Sequence, residues 1–541
     1  MPPPRVLAFD SGFGGLTVFQ PLVAARPDID IVYLADDSAF PYGRLSDAAL
    51  VARVDDVIGA AIHQFAPDLV LIACNTATTL ALALMALGAF APQALNDGDT
   101  FWHIAAGQWT LAHGGAPHAD PFSYTYAGTP WIAHEWLAEV AMALAYAGAG
   151  LRGVTALTGL AVGGAFYALA RAVARDLRGA PIFAVLGIAA LILAPSLLAR
   201  PHILALPVSV FWILALVRAR GAGRAPTLWA LPLMTLWANM HGGFVFGLAL
   251  IAPFGLEALL DAPGGRRMDL AMRWAPFSVL SVGAALLTPY GVEGLLFPFA
   301  LANNPNMAAV IEWQPEKLTA FGPFEWALVG LLGVGFWRGL FLRPIPAALV
   351  VGLTFMTLQH TRHALLFALV APLLLARPLG AAFGEAKADA PPITQKRADL
   401  AFLVGALALI AVRLALPLAL HDTKPTPVSA LAAVPMELRA KPVFNSLADG
   451  GYLILSGVKP FIDGRFDMYP KAHVDDYLAA SAGEPEAAKR VLEAHGVAWV
   501  LLQPGAKLAD WLDHEPEWRR LYADGFAVVY VQDQLALRGT Q

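Results

Sequence analysis

The sequence has 541 residues, of which 57% are hydrophobic and 14% are charged. This excess of apolar residues excludes a soluble enzyme of the same size and indicates a membrane protein with many spanning segments. The net charge of -5 is small for the length, so we expect no nucleic-acid partner. The single cysteine, Cys74, excludes intramolecular disulfides and any multi-cysteine metal site.

Residues 1–80 have the pattern of a soluble α/β segment. Three short apolar runs, "RVLAFDSG", "DIVYLADD" and "DLVLIACNTA", alternate with two stretches of helical periodicity. This order predicts a βαβαβ unit whose parallel strands bring Asp10, Asp36 and Cys74 to one edge. The first residues lack the pattern of a signal peptide, so we expect this segment to be cytoplasmic.

Residues 81–420 form the predicted membrane domain. About eleven apolar segments approach the ~20 residues that are needed to cross a bilayer. Arginine and lysine cluster on alternate connections, which the positive-inside rule places in the cytoplasm. Arg200, Arg362 and Arg413 do not fit this alternation. The predicted segments lie near 79–95, 151–170, 181–198, 203–217, 226–240, 243–260, 271–289, 324–337, 345–359, 363–377 and 400–420.

The same alternation places two long segments outside the membrane. The loop of residues 96–150 and residues 421–541 both fall on the external side. Residues 421–541 have a soluble composition and predict a small α/β domain. We expect strands with Gly turns in "PVFNSLADGGYLILSG" and "KPFIDGRFDMY", a helix in "EPEAAKRVLEAHG", and buried strands in "VAWVLLQ" and "FAVVYVQ". The expected location is a bacterial inner membrane, with a periplasmic or extracellular C-terminal domain.

Three motifs in the N-terminal segment are similar to those of glutamate racemase, in the aspartate/glutamate racemase superfamily. They are "FDSGFGGLTV", "ADDSAFPYG" and "LIACNTATTLAL", in the order of that family. The resemblance implies a catalytic role for Cys74 beside Asp10, glutamate as the ligand, and L-/D-glutamate interconversion for peptidoglycan. It also implies that a further set of residues contacts the substrate: Ser11, Pro41, Tyr42, Gly43, Asn75 and Thr76.

This racemase resemblance stops near residue 82. Racemisation without a cofactor needs one base on each face of the α-carbon, and the family uses a second cysteine in a later "GCTH" motif. The chain has no second cysteine, so we expect an incomplete and inactive racemase segment. The alternatives are that Cys74 is an inert buried thiol or that a functional racemase is anchored to the membrane.

The rest of the chain resembles bacterial membrane proteins of the GT-C glycosyltransferase type. The motifs are "NDGDTFWHIAAGQWTLAHGG", "LWANMHGGFVFGLAL", "TPYG", "VFNSLADGGYLI" and "FIDGRFDMY". The resemblance implies a sugar donor linked to a polyprenyl phosphate and an acidic catalytic residue after the first span. Asp97 and Asp99 occupy that position, and Asp99, followed by "TFWH", matches it best.

Several residues of this region have competing interpretations. Partial desolvation suits Asp99 to act as a general base, but Asp97 and Asp99 could instead cap the following helix. His103, His134 and Glu135 could join Asp99 around a divalent cation; their spacing fits no fixed ligand pattern, so we predict neither a metal nor a cofactor.

Two further motifs carry arginines. Arg362 could bind a lipid phosphate or extend to the membrane interface. Asp463, Arg465 and Asp467 predict a turn with an ion pair, with sugar recognition as the alternative. For the whole chain, a membrane glycosyltransferase, a glutamate racemase and a non-enzymatic assembly or transport protein all remain open.

Overall fold

The computed structural model describes residues 5–10, 29–36, 38, 47–72, 76–177, 179–319, 321–384 and 392–533. These residues form a mainly helical protein with two small sheets. The sheets belong to opposite ends of the chain, and the helices between them form one continuous apolar core.

The N-terminal sheet has three parallel strands, as the sequence predicts. β1 (Arg5–Asp10) lies between β2 (Asp30–Ala35) and β3 (Leu69–Ile72), so that Val6 pairs with both Ile31 and Leu69. Because β1 has a neighbour on each side, its apolar residues are buried. Helix α1 (Asp47–Phe65) covers the sheet through the contact between Ile58 and Phe9.

Sixteen described helices follow β3. They begin with the helix that starts four residues after the strand and end at Ala415. They are α2 (Thr76–Phe90), α3 (Asp99–His113), α4 (Trp136–Ala149), α5 (Leu151–Val173), α6 (Gly179–Leu193), α7 (Pro201–Leu204), α8 (Leu206–Gly221), α9 (Leu231–Met240), α10 (Phe244–Ala249), α11 (Ile251–Asp261), α12 (Arg267–Ala285), α13 (Gly291–Ala302), α14 (Pro323–Arg338), α15 (Pro344–Gln359), α16 (Ala364–Ala382) and α17 (Pro392–Ala415).

Helix α2 is built into the helical body. A Cβ on Gly88 would lie 3.1 Å from the Cα of Gly159, and one on Gly163 would lie 2.6 Å from the Cβ of Met85. Such small residues let two backbones approach closely, which is a common way for helices to pack in membranes. The first predicted span therefore packs tightly on α5.

Each of the eleven predicted segments coincides with a helix or with a pair of short helices. Within the described part of the chain, four helices are long and apolar enough to cross a bilayer: Leu151–Val173, Phe244–Asp261, Thr361–Ala382 and Ala398–Ala415. Five shorter apolar helices accompany them. The chain is thus a membrane protein by its apolar helices, and the number of about eleven spans stays a prediction.

The C-terminal domain contains the second sheet. Its strands β4 (Val443–Asn445), β5 (Trp499–Leu502), β6 (Trp518–Ala523) and β7 (Val528–Gln532) follow the order β4-β5-β7-β6. β4 is parallel to β5, and the other pairs are antiparallel. The helices are α18 (Val428–Ala433), α19 (Met436–Arg439), α20 (Gly450–Leu455), α21 (Lys471–Ser481), α22 (Pro485–Ala494) and α23 (Lys507–Leu512).

One strand prediction in this domain is wrong and another is confirmed only in part. In the first run only β4 is a strand, because residues Gly450–Leu455 form α20, which packs on α3 through the close contact of Gly451 with Gly98. In the second run, residues 459–469 form no strand. The predicted helix and the two buried strands are confirmed as α22, β5 and β7.

Candidate functional site

Asp97 and Asp99 stand at the start of α3 and have different tasks. The Oδ1 atom of Asp97 accepts the backbone N–H of Asp99 over 2.9 Å, which is a capping type of contact. The carboxylate of Asp99 forms a side-chain hydrogen bond within the same helix: its Oδ1 accepts the indole N–H of Trp102 at 3.0 Å. The N-cap residue of α3 is Gly98, without a side-chain cap bond, so Asp97 bonds the first N–H of the helix from one position before the cap, and Asp99 belongs to the first turn of the helix.

Arg200 forms ion pairs with three acidic residues of this region. Its guanidinium donates to Asp97 Oδ1 over 2.7 Å and to Glu312 Oε1 over 3.0 Å, and it lies 2.9 Å from Asp99 Oδ2. Arg200 occupies the extended residue before α7, where Pro201 favours the start of a helix. One guanidinium thus balances three carboxylates from separate parts of the chain.

The environment of Asp99 alters its acidity. Burial raises the pKa of Asp99 to about 6, the nearby Arg200 opposes this rise, and Asp97 adds to it. The side chain is 24% exposed, so that a ligand can still reach it. A carboxylate with a pKa near neutrality is suited to accept a proton.

Asp99 and Arg362 line the same cavity, which measures about 850 Å³. The guanidinium of Arg362 lies 4.4 Å from the ring centre of Trp313. Within the described part of the chain it has no carboxylate partner within 4.0 Å. The cavity continues between the helices, where its wall is apolar and includes Ile192, Leu206, Phe246, Phe324, Met356 and Leu366.

The C-terminal domain closes the cavity on one side. Gly464 and Asp467 line it, and Gly464 lies directly against the carboxylate of Asp99. Burial raises the pKa of Asp467 to about 6. Asn306, from the helical body, donates to the backbone oxygen of Tyr469 over 2.8 Å, so the two parts are joined beside the cavity.

The predicted ion pair in "FIDGRFD" is confirmed, and it extends to a residue outside the C-terminal domain. Arg465 is fully buried and lies 2.6 Å from both Asp463 Oδ2 and Asp120 Oδ1. Asp120 belongs to the loop between α3 and α4, so this pair crosses from the C-terminal domain to the helical body. Trp131 lies 4.7 Å below the guanidinium.

A second titratable cluster surrounds Glu135. The Nε2 atoms of His103, His134 and His241 lie 3.8, 3.7 and 3.6 Å from its carboxylate. Burial raises the pKa of Glu135 to about 8 and lowers that of His134 to about 4. Within the described residues, no group of three His, Cys, Asp or Glu side chains is arranged to hold a metal ion; the cation alternative stays a hypothesis.

Most of the predicted racemase residues lie outside the described part of the chain. These are Ser11, Pro41, Tyr42, Gly43, Cys74 and Asn75. Of the other two, the backbone of Asp10 ends β1 and Thr76 begins α2. Their predicted roles stay predictions.

Sequence reasoning missed Arg200 and Glu312 as members of the site. Arg200 carried a signal, because it broke the alternation of basic and non-basic connections; its position beside three carboxylates now accounts for that exception. Glu312 carried none, since it lies in a short turn (Ile311–Trp313) without a motif. Arg413, a further exception, donates to the oxygen of Leu416 at the end of α17.

Comparison with known proteins shows two separate similarities, and no family model matches the chain. Over 82 residues it is 48% identical to glutamate racemase from Vibrio cholerae, covering 15% of this chain and 31% of that protein. The racemases of Vibrio vulnificus and Granulibacter bethesdensis give 52% over 79 residues and 50% over 81 residues. The chain therefore spans about a third of the length of these curated relatives.

The second similarity is structural. The crystal structure of the Archaeoglobus fulgidus oligosaccharyltransferase in its apo form aligns with a TM-score of 0.50 and 13% sequence identity, over 79% of this chain and 68% of that chain. The chain thus shares its overall fold with this oligosaccharyltransferase over the aligned part. At this level of identity the likeness concerns the fold, and the chemistry has to be argued from the cavity itself.

Proposed function

We propose that the chain is a membrane transferase of the GT-C type, which moves a sugar from a polyprenyl-phosphate carrier to an acceptor on the external side of a bacterial inner membrane. One observation carries the proposal: Asp99 shares a cavity that continues between apolar helices with Arg362, which has no carboxylate within 4.0 Å among the described residues. A phosphate-linked isoprenoid has an anionic group and a long apolar chain, and both find matching surroundings there.

Each group has a defined part in the proposed reaction. The hydroxyl or amide of the acceptor attacks the anomeric carbon of the sugar, and its proton passes to Asp99. The bond between the anomeric carbon and the phosphate oxygen breaks, and the carrier leaves as a phosphate. Arg362 pairs with the charge that develops on this oxygen, as a planar guanidinium does well. Arg200 holds Asp99 in position.

The N-terminal segment takes no part in the proposed transfer reaction. It resembles about a third of a glutamate racemase. The reaction needs a base on each face of the α-carbon, and the sequence contains one cysteine where that family uses two. We therefore propose that this cytoplasmic segment does not racemise glutamate. Interconversion of L- and D-glutamate by the purified full chain would contradict this part of the proposal.

The proposed function can be tested by measuring the amount of the lipid carrier that bears a sugar, without knowing which sugar it is. In cells that depend on this chain, Asp99→Asn should abolish transfer and make a lipid-linked sugar accumulate, which mass spectrometry of lipid extracts detects. Asp475→Asn, which alters an exposed carboxylate of the C-terminal domain, is the matched control. Accumulation should be absent in the control, and both variants should reach the membrane in equal amounts.

The same variant also distinguishes a transferase from the remaining hypothesis, a protein without enzymatic activity. A non-enzymatic assembly or transport protein should tolerate Asp99→Asn and yet fail when residues 421–541 are deleted. Arg362→Gln should lower kcat and kcat/KM together, because the developing charge loses its partner, and Arg362→Lys should recover part of the loss because the charge remains. Full activity of Asp99→Asn would overturn the proposed function.

A further inference from the structure

A second cavity runs along α5 and α8, from Leu204 and Pro207 at the start of α8 to three arginines at the C-terminal ends of the two helices. It measures about 640 Å³ and opens between these two helices. Its long wall is apolar and includes Leu157, Leu160, Gly164, Phe211 and Leu214. Leu160 and Phe211 are 47% and 48% exposed, so that the groove is open to whatever surrounds the helices.

The mouth of this groove carries three arginines. Arg171 is neutralised, because its Nε lies 3.4 Å from Asp399, which also accepts the hydroxyl of Tyr167 over 2.7 Å. Arg175 and Arg218 also line the mouth. Neither has a carboxylate within 4.0 Å among the residues that the structure describes, and the positive charge of Arg175 acts on that of Arg218. Two neighbouring cations without a counter-ion favour a shared anion.

The length of the groove limits what can fill it. From Leu157 to Arg171 there are 14 residues, which at 1.5 Å per residue give about 21 Å. Half of the hydrocarbon core of a bilayer measures about 15 Å. An acyl chain that starts at the arginines therefore fits along the wall.

We propose that this groove binds an anionic glycerophospholipid, with the headgroup phosphate between Arg175 and Arg218 and one acyl chain along α5 and α8. The site is separate from the cavity of Asp99, and it does not depend on the proposed transferase activity. The arginines belong to connections that the positive-inside rule places in the cytoplasm, where anionic lipids attract basic side chains.

Native mass spectrometry of the purified full chain tests this site with phosphatidylglycerol as the probe. Arg175→Gln/Arg218→Gln should reduce the fraction of protein that carries one phosphatidylglycerol at least fivefold. The matched control is Arg266→Gln/Arg267→Gln, which removes two exposed arginines on another connection and should leave binding unchanged. Equal binding in both double variants would overturn the proposal, since the lipid would then be part of a general annulus.

A second variant blocks the groove without changing charge. A Cβ on Gly164 meets no atom within 4 Å, so Gly164→Phe places its ring in the groove and should also reduce binding at least fivefold. Gly187→Phe, at another glycine with open space, is the control. Phosphatidylcholine and inorganic phosphate should fail to displace phosphatidylglycerol at equal concentration; displacement by inorganic phosphate would identify a simple anion site and overturn the assignment to a lipid.

Discussion

Gly464 of the C-terminal domain lies so close to Asp99 that a methyl group on Gly464 would overlap the Oδ1 atom of Asp99. Two atoms cannot share that space, so the carboxylate would have to move. The backbone of Gly464 does not have a positive φ, and alanine therefore acts through its volume alone. The C-terminal domain thus helps to define the position of the proposed base.

We predict that Gly464→Ala lowers the rate of transfer by about 10- to 100-fold, because displacing a reacting group by about 1 Å has effects of this size. The measurement is the single-turnover rate in membranes. Gly525→Ala, at a position where a Cβ meets no atom within 4 Å, should keep the normal rate. Equal rates in the two variants would show that the position of Asp99 is not critical.

The pH dependence of the rate offers a second prediction. If Asp99 accepts the proton, it has to be ionised, so the rate should rise with pH and level off above about 6, the value to which burial raises the pKa of Asp99. Arg200 lowers this pKa. In Arg200→Gln the rising limb should therefore move to higher pH. A limb that stays in place would exclude Asp99 as the titrating group.

Glu135 should make the stability of the protein depend on pH. Burial raises its pKa from 4.5 to about 8, so between these values the folded chain keeps a proton that the unfolded chain loses. Stability should thus fall as the pH rises through this window. Glu135→Gln cannot ionise, and we predict a Tm above that of the unaltered protein at pH 8, by on the order of a few °C, with little difference at pH 4.5. Glu493→Gln, on the surface, should show no such divergence.

Arg465 should decide whether the C-terminal domain stays docked. Its removal leaves Asp463 and Asp120 buried without their cation, which costs about 3 to 5 kcal/mol. We predict that Arg465→Gln speeds hydrogen exchange in β4 and in the loop of Asp120. Arg490→Gln breaks an exposed pair with Asp476, which is worth about 0 to 1 kcal/mol, and should exchange normally. Unchanged exchange in Arg465→Gln would mean that other contacts hold the domain.

The helices of the body could be predicted from the sequence because long apolar runs are a strong local signal. The C-terminal strands were harder to predict, since "GGYLIL" is apolar enough for either a helix or a strand. Only its packing on α3, which no local pattern encodes, selects the helix. The partners of Asp99 could not be predicted, because Arg200, Glu312 and Gly464 come from parts of the chain that are far apart in sequence. The resemblance of the N-terminal segment to glutamate racemase could be recognised from the sequence, because three motifs of that family occur in the same order.

Helix α2 has 15 residues, so its two ends lie about 22 Å apart. The N-terminal sheet joins one end, and the turn that leads to Asp97 and Asp99 follows the other. A small molecule released at the strand ends of that sheet would have no short path to the cavity. A substitution that changes the sheet should therefore leave the geometry around Asp99 intact, because the whole length of α2 separates the two.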